Sequence, residues 1–176
     1  MTSDTYTTRL NRLRYLEVTQ DLPKPDLEYA LDDCLPYADS KGIWGEQLPV
    51  ALMSTEDKLL GLCIFVIRDF KSFRYLDIKR IFTVSNRRKQ GYGKLLYSNV
   101  TNYAKTQNCE YIRMFCNPDS LPFYRSCNCR FIGKDKGGYS FVFQHLFRDV
   151  DVFSNTDTNE FVNQQINLYS GYIEFH

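Results

Sequence analysis

Apolar positions along the chain recur first at spacings near two and later near 3.6, and the change of period divides the sequence into elements. Leu13 to Val18 alternates and predicts a strand. Pro23 and Pro25 interrupt the pattern. Asp26 then reads as the N-cap of a helix through Leu35, whose apolar positions 27, 30, 31, 34 and 35 share the face that would pack on a sheet. Pro36, Gly42 and Gly45 predict a loop or broken helix displaying Trp44. Three strands follow, at 48–53, 59–67 and 73–84, the first two joined by the polar turn Ser54–Lys58, and they read as an antiparallel meander. From Tyr92 the period becomes helical. Leu95, Leu96, Val100, Tyr103 and Ala104 line one face, with Lys94, Ser98, Asn102 and Lys105 turned away, over about four turns. A short strand at Tyr111–Cys116, a short helix at Leu121–Cys127 and a hairpin of 129–132 with 139–146 across Gly137-Gly138 complete the order β-α-β-β-β-α-β-α-β-β. Residues 1–146 therefore read as one α/β (α+β) domain. Residues 147–176 read as a C-terminal extension, either a dimer arm or a lid, with a helix near 159–168 and a strand-like 172–175.

Composition narrows the class. The chain has 176 residues, 43% of them hydrophobic, with 13 Tyr and 13 Phe, which suits one packed domain and excludes an intrinsically disordered chain. No apolar run reaches the length of a membrane span, and the first residues carry neither the basic patch nor the apolar stretch of a secretory signal, so the expected location is the cytoplasm and no membrane partner is expected. The six cysteines, Cys34, Cys63, Cys109, Cys116, Cys127 and Cys129, are accordingly expected as reduced thiols. Cys127 and Cys129 form the one close pair, and with His145 and His176 as the sole histidines no metal site is expected.

A formal net charge of +1 conceals a separation of charge. Residues 1–57 hold five basic and eleven acidic side chains, a net of −6, whereas 68–94 hold nine basic against two acidic, a net of +7. The basic excess favours a polyanion: a nucleic acid, a phospholipid surface or a cofactor carrying several phosphates. It centres on the junction after Val84, where a strand ends and a helix begins across Arg87-Arg88-Lys89-Gln90-Gly91-Tyr92-Gly93. Glycines at 91 and 93 let a ligand approach the backbone, so the unpaired N–H groups of the helix's first turn can face an anion whose charge the helix dipole favours. A dinucleotide-binding turn fails because Leu96 stands where its third glycine is due, and no Gly-Lys-Ser/Thr of a Walker loop is present.

The segment resembles the acyl-CoA loop of the GNAT N-acetyltransferase superfamily, whose Arg/Gln-x-x-Gly-x-Gly/Ala signature stands here as Arg88-Lys89-Gln90-Gly91-Tyr92-Gly93. A second family pattern, Asn followed by a small residue and then an aromatic before Tyr, matches Asn117, Ser120, Phe123 and Tyr124, and the element order matches from about residue 10 to 146. The resemblance implies a mixed, mostly antiparallel central sheet with helices on both faces, and acetyl-CoA as cosubstrate. It implies that Phe82, Thr83 and Val84 lie along the pantetheine arm through backbone hydrogen bonds, and that the N–H groups of Arg88, Lys89, Gln90, Gly91, Tyr92, Gly93 and Lys94 bind the pyrophosphate. Asn117 would contact the arm with Ser120 and Phe123 beside it, and Tyr124 would sit near the sulfur. One departure is Cys127-Asn128-Cys129-Arg130-Phe131 where the family has Gly-Phe, which predicts a less tight turn.

The implied chemistry needs a neutral amine to attack the thioester carbonyl and a proton for the departing thiolate. Tyr124 is the implied general acid, since a phenol with a reference pKa of about 10 can donate near neutrality. The base is less marked. Asp77 is a candidate, set against a strand carboxylate salt-bridged to Lys79 or Arg80, and Glu46, His145 and bulk water remain alternatives. Cys116 and Cys127 read as small buried hydrophobes rather than nucleophiles. The leading expectation is an acetyltransferase acting by direct attack in a ternary complex, its acidic N-terminal third drawing a cationic amine acceptor. Two alternatives stand: CoA-dependent modification of nucleic acid, on charged tRNA or on a DNA base in the manner of Mom-like enzymes, and a non-catalytic acyl-CoA-binding module. The near-neutral pI of about 7.5 disfavours the first.

Overall fold

The computed structural model describes residues 4–71, 73–134, 137–146 and 174–175. The element order is β1 (Thr5–Arg9), α1 (Arg12–Thr19), α2 (Lys24–Tyr29), a π-helical turn (Ala30–Cys34), α3 (Leu35–Ser40), β2 (Val50–Ser54), β3 (Leu59–Phe70), β4 (Phe73–Thr83), a 3₁₀ turn (Ser85–Arg87), α4 (Tyr92–Thr106), β5 (Tyr111–Cys116), a 3₁₀ turn (Pro118–Ser120), α5 (Leu121–Ser126), β6 (Arg130–Lys134), β7 (Ser140–His145) and β8 (Glu174–Phe175). The fold is mixed α/β with a mostly antiparallel sheet, as expected. The described chain forms two compact units, one of residues up to 66 with 79–100, the other of 67–78 with those from 101 onward. Strands β3 and β4 run through both.

In the first unit the strand order is β1-β2-β3-β4. β1 pairs antiparallel with β2 from Thr5↔Ser54 to Arg9↔Val50, and β2 pairs antiparallel with β3 with a bulge between Leu52 and Met53. Two expectations are corrected here. The segment read as a strand at 13–18 is helix α1, because Asn11 caps it, its side chain accepting from the Arg14 N–H at 2.8 Å, and the buried positions Tyr15 and Thr19 are four apart. The first strand lies upstream in Thr5–Arg9, whose mostly half-exposed Thr and Arg carry little apolar signal. The second helical run also continues past Pro36, which sits in the first turn of α3, directly after the π-helical turn.

One core cluster joins Tyr15 of α1, Ala30, Cys34 and Ala38 of the second helical run, and Ala51, Met53, Leu62, Ile64 and Val84 of the strand region. Tyr15 Oη donates to the Ala30 carbonyl at 2.7 Å, at the first residue of the π-helical turn. Gly61 of β3 lies against α4. A Cβ on Gly61 would lie 3.1 Å from both Leu96 Cδ2 and the Phe82 carbonyl oxygen, so the glycine permits close approach of strand and helix. Helices thus cover both faces of this unit's strands.

In the second unit the order is β3-β4-β5-β7-β6-β8. β4 and β5 pair in parallel from Tyr75↔Tyr111 to Ile78↔Met114, while β5 with β7, β6 with β7 and β6 with β8 are antiparallel. Its core is aromatic. Phe73, Tyr75, Tyr111, Ile132, Phe141 and Phe143 cluster with Phe70 and Phe115, and the Phe73–Tyr111, Tyr111–Phe143 and Phe115–Phe141 rings lie 4.9, 4.8 and 4.7 Å apart. Centroid spacings in this range are favourable for edge and tilted pairs. The helix expected near 159–168 and the arm or lid at 147–173 lie outside the described residues. Glu174 and Phe175 pair with Lys134 and Gly133 of β6.

Candidate active site

The basic junction lies within the first unit. Val84 is buried and donates its N–H to the Leu60 carbonyl at 2.9 Å, and its own carbonyl accepts from Arg87 N at 2.9 Å, closing the 3₁₀ turn. The N–H of Val84 thus anchors the end of the strand and its carbonyl holds the turn. Phe82 is half-buried with its ring 5.3 Å from Tyr29, edge to face. Thr83 offers its carbonyl to Arg88 Nε at 3.3 Å.

Beyond the 3₁₀ turn the backbone alternates in handedness. Arg88 is extended (φ −73°, ψ 162°), Lys89 is left-handed at φ 64°, Gly91 has φ 84°, and helix α4 starts at Tyr92. Backbone that alternates into the left-handed region gathers successive N–H groups around an anion. Leu95 N donates to Gly91 O at 3.1 Å as the helix opens, so the N–H groups of Tyr92, Gly93 and Lys94 are first-turn donors lacking an i−4 helical acceptor. Nothing lies within 4 Å of the point where a Gly91 Cβ would stand. Arg87, Arg88, Lys89, Gln90 and Lys94 are exposed, and Tyr92 and Gly93 half-buried. Open space, cationic side chains and the N-terminus of a 15-residue helix together fit a diphosphate.

Asp26, read from sequence as a helix cap, is the third residue of α2, and its N-cap position is taken by Pro23. The carboxylate is buried, and its Oδ2 accepts from Ser85 N at 2.9 Å and Ser85 Oγ at 2.7 Å. Nothing local in the sequence marks this partner 59 residues away.

The second unit holds the other candidates. Asn117 is exposed and caps the 3₁₀ turn, its Oδ1 accepting from Asp119 N at 3.0 Å, and Ser120 N donates to Asn117 O at 2.9 Å. The rings of Phe123 and Tyr124 stand edge to face with centroids 5.1 Å apart, and Tyr124 is 4% exposed. The carbonyl of Tyr124 accepts from both Cys127 N and Cys129 N at 3.0 Å. The turn expected to loosen at Cys127-Asn128-Cys129 is tight after all. Asn128 takes φ 66°, the left-handed conformation that asparagine tolerates better than other non-glycine residues.

Asp77 and Arg113 are register partners on the parallel strands, and Arg113 Nη2 donates to Asp77 Oδ2 at 2.6 Å with both side chains 2% exposed. The guanidinium carbon lies 5.6 and 5.7 Å from the Tyr75 and Phe115 ring centres. Asp77 is therefore salt-bridged as the alternative reading had it, with Arg113 as partner in place of Lys79 or Arg80. A buried carboxylate holding a guanidinium is a poor general base. Arg80 instead pairs with Asp33 through two bonds of 3.0 and 3.1 Å and lies 4.8 Å over the Tyr37 ring. No disulfide joins the six cysteines. Burial pushes the Cys34 thiol up to about 12 and the Cys109 and Cys116 thiols up to about 11, leaving thiols where a nucleophile would need thiolates. No group of three metal-ligating side chains occurs among the described residues, and no described helix is long and apolar enough to cross a membrane.

No curated protein matches the sequence. Solved structures do match in fold. An aminoglycoside 6'-N-acetyltransferase complexed with coenzyme A aligns at TM-score 0.63 and 13% identity, over 83% of this chain and 99% of the other. The PaiA N-acetyltransferase of Thermoplasma acidophilum in complex with coenzyme A aligns at 0.61 and 12%, over 80% and 98%. A spermidine N-acetyltransferase SpeG chimera from Vibrio cholerae and hSSAT aligns at 0.61 and 13%, over 81% and 96%. The model of the GNAT acetyltransferase family matches residues 11–128, covering α1 through the turn after α5. The chain belongs to the GNAT acetyltransferase family.

Proposed function

We propose that this chain transfers an acetyl group from acetyl-CoA to a cationic amine by direct attack in a ternary complex. The observation that carries the reading is the turn from Arg88 to Lys94: left-handed Lys89 and Gly91, open space beside Gly91, and a cationic run ahead of a long helix. Two of the aligned structures hold coenzyme A, and two are acetyltransferases of an aminoglycoside and of spermidine, which supports the choice of cosubstrate and acceptor class. Acetyl-CoA supplies an acyl group activated as a thioester.

The chain's own residues divide the work. The N–H groups of 88–94 hold the diphosphate, with Arg87, Arg88, Lys89 and Lys94 supplying formal charge. Phe82 and Thr83 guide the arm, and in the second unit Asn117, Ser120 and Phe123 are its proposed contacts. Tyr124 Oη holds the proton for the leaving sulfur. With Asp77 committed to Arg113, water is the reading we favour for removing the ammonium proton. Acceptor charge recognition falls to exposed carboxylates of the N-terminal third, among them Asp32, Glu46 and Glu56, because Glu17, Asp21, Asp33 and Asp39 already face Arg14, Lys58, Arg80 and Arg12.

Thermal-shift titration with acetyl-CoA, followed by thiol-release assays across polyamines, aminoglycosides and lysine peptides, tests the proposal. Binding with turnover of at least one amine is the expected result. Binding without thiol release on any amine or nucleic acid would favour the acyl-CoA-binding module. Thiol release on tRNA or DNA alone would favour nucleic-acid modification. The segment 147–176 is proposed as a dimer arm or lid: truncation at 146 changes the solution mass in the first case and the acceptor KM in the second.

A further inference from the structure

Asp26 presents a puzzle if the neighbouring turn binds an anion. A carboxylate is costly to bury, and its negative charge close to the start of a phosphate-binding turn opposes the ligand. Its geometry supplies a reason to keep it. Both of its described hydrogen bonds go to one residue, Ser85, through the backbone N–H at 2.9 Å and the hydroxyl at 2.7 Å. Ser85 is the first residue beyond the strand anchor Val84 and opens the 3₁₀ turn. The chain leaving β4 is thus fastened at three successive points: Val84 N to Leu60 O, Ser85 to Asp26, and Arg87 N to Val84 O. Immediately afterwards come the exposed residues 88–91, with left-handed backbone at Lys89 and Gly91.

We propose that Asp26 is a positioning residue that presets the diphosphate-binding turn by clamping Ser85, a role that rests on the reading of that turn given above. Preorganisation of a loop acts on affinity, because an unclamped turn must be ordered when ligand binds. The clamp therefore governs cofactor binding and KM rather than the rate of the bound complex. Both bonds fall on a single oxygen, so an asparagine can retain them through its Oδ1 while removing the opposing charge.

The test measures calorimetric Kd for coenzyme A, together with KM for acetyl-CoA and kcat, on Asp26→Leu, Asp26→Asn and Ser85→Ala. The Leu variant is expected to raise Kd and KM about tenfold with kcat within about twofold. The Ala variant, which keeps the backbone bond, should raise them about threefold, and the Asn variant should bind as tightly as wild type or more tightly. Wild-type Kd in folded Asp26→Leu, or loss of affinity in Asp26→Asn equal to that in the Leu variant, overturns the proposal. If the Leu variant does not fold, unchanged affinity in Ser85→Ala overturns it. Should wild-type protein fail to bind coenzyme A, the diphosphate reading falls and the clamp with it; wild-type binding that is indifferent to all three substitutions removes the clamp alone.

Discussion

Substitution at Gly91 separates backbone conformation from charge at the proposed phosphate turn. The glycine has φ 84°, and a Cβ there would meet nothing within 4 Å. The cost of Gly91→Ala is thus conformational. Holding an L-residue in the left-handed region costs about 1–2 kcal/mol, and since 1.4 kcal/mol is a factor of ten, coenzyme A affinity should fall about 5- to 30-fold if binding requires the native turn. Asparagine visits this region more readily, so Gly91→Asn should lose only about threefold. Gly91→Asp matches Asn in shape and adds one negative charge. At about 6 Å from a diphosphate bearing about two charges in water, the repulsion is about 0.7–1.4 kcal/mol after allowing for salt screening, a further three- to tenfold over Asn. Isothermal titration with coenzyme A at two ionic strengths reads all three variants, and pantetheine, which lacks the diphosphate, should bind every variant equally. An Asp variant that binds coenzyme A within twofold of the Asn variant at low salt would refute the placement of an anion at this turn.

Tyr124→Phe should lower kcat by about 10² while leaving coenzyme A affinity within twofold, and equal turnover would remove the hydroxyl from the mechanism. Asp77→Ala leaves Arg113 charged and buried, so urea unfolding should show a loss of about 3–5 kcal/mol; a variant as stable as wild type would mean that the ion pair is not formed. The buried Cys109 and Cys116 thiols sit above their ordinary value of 9.0 at about 11. The folded state holds these protons more tightly than the unfolded one. Their stabilising contribution is complete below pH 9 and is lost as pH rises from about 9 to about 11, and equilibrium unfolding across that range should show the decline, more gently in Cys116→Ala.

What could be read from the sequence depended on the range of the interactions involved. Helix α4 announces itself through a helical period that buries one face, and strands β3, β4 and β5 announce themselves as apolar runs, β3 buried on both faces from Leu59 to Val66. The proposed phosphate turn is equally local: glycine spacing, adjacent cations and a strand-to-helix switch fall within ten residues. Helix α1 escaped because Leu13, Tyr15 and Leu16 satisfy either period over so short a span, although Asn11 three residues before Arg14 is a cap signal that could have decided it. Strand β1 escaped because Thr5, Thr7 and Thr8 say little about burial. The partners of Asp77 and Asp26 lie 36 and 59 residues away, and charge on one strand cannot choose among distant cations or hydroxyls. Asn128 shows the converse, a residue whose tolerance of the left-handed region keeps the turn tight without a glycine.

The most direct test of the phosphate turn is an amide-resolved titration of ¹⁵N-labelled protein with coenzyme A and, separately, with pantetheine. Coenzyme A should shift the N–H resonances of Arg88 through Lys94 as a block, and pantetheine should leave them in place. Saturating coenzyme A that moves other amides while those seven stay unchanged would contradict the account.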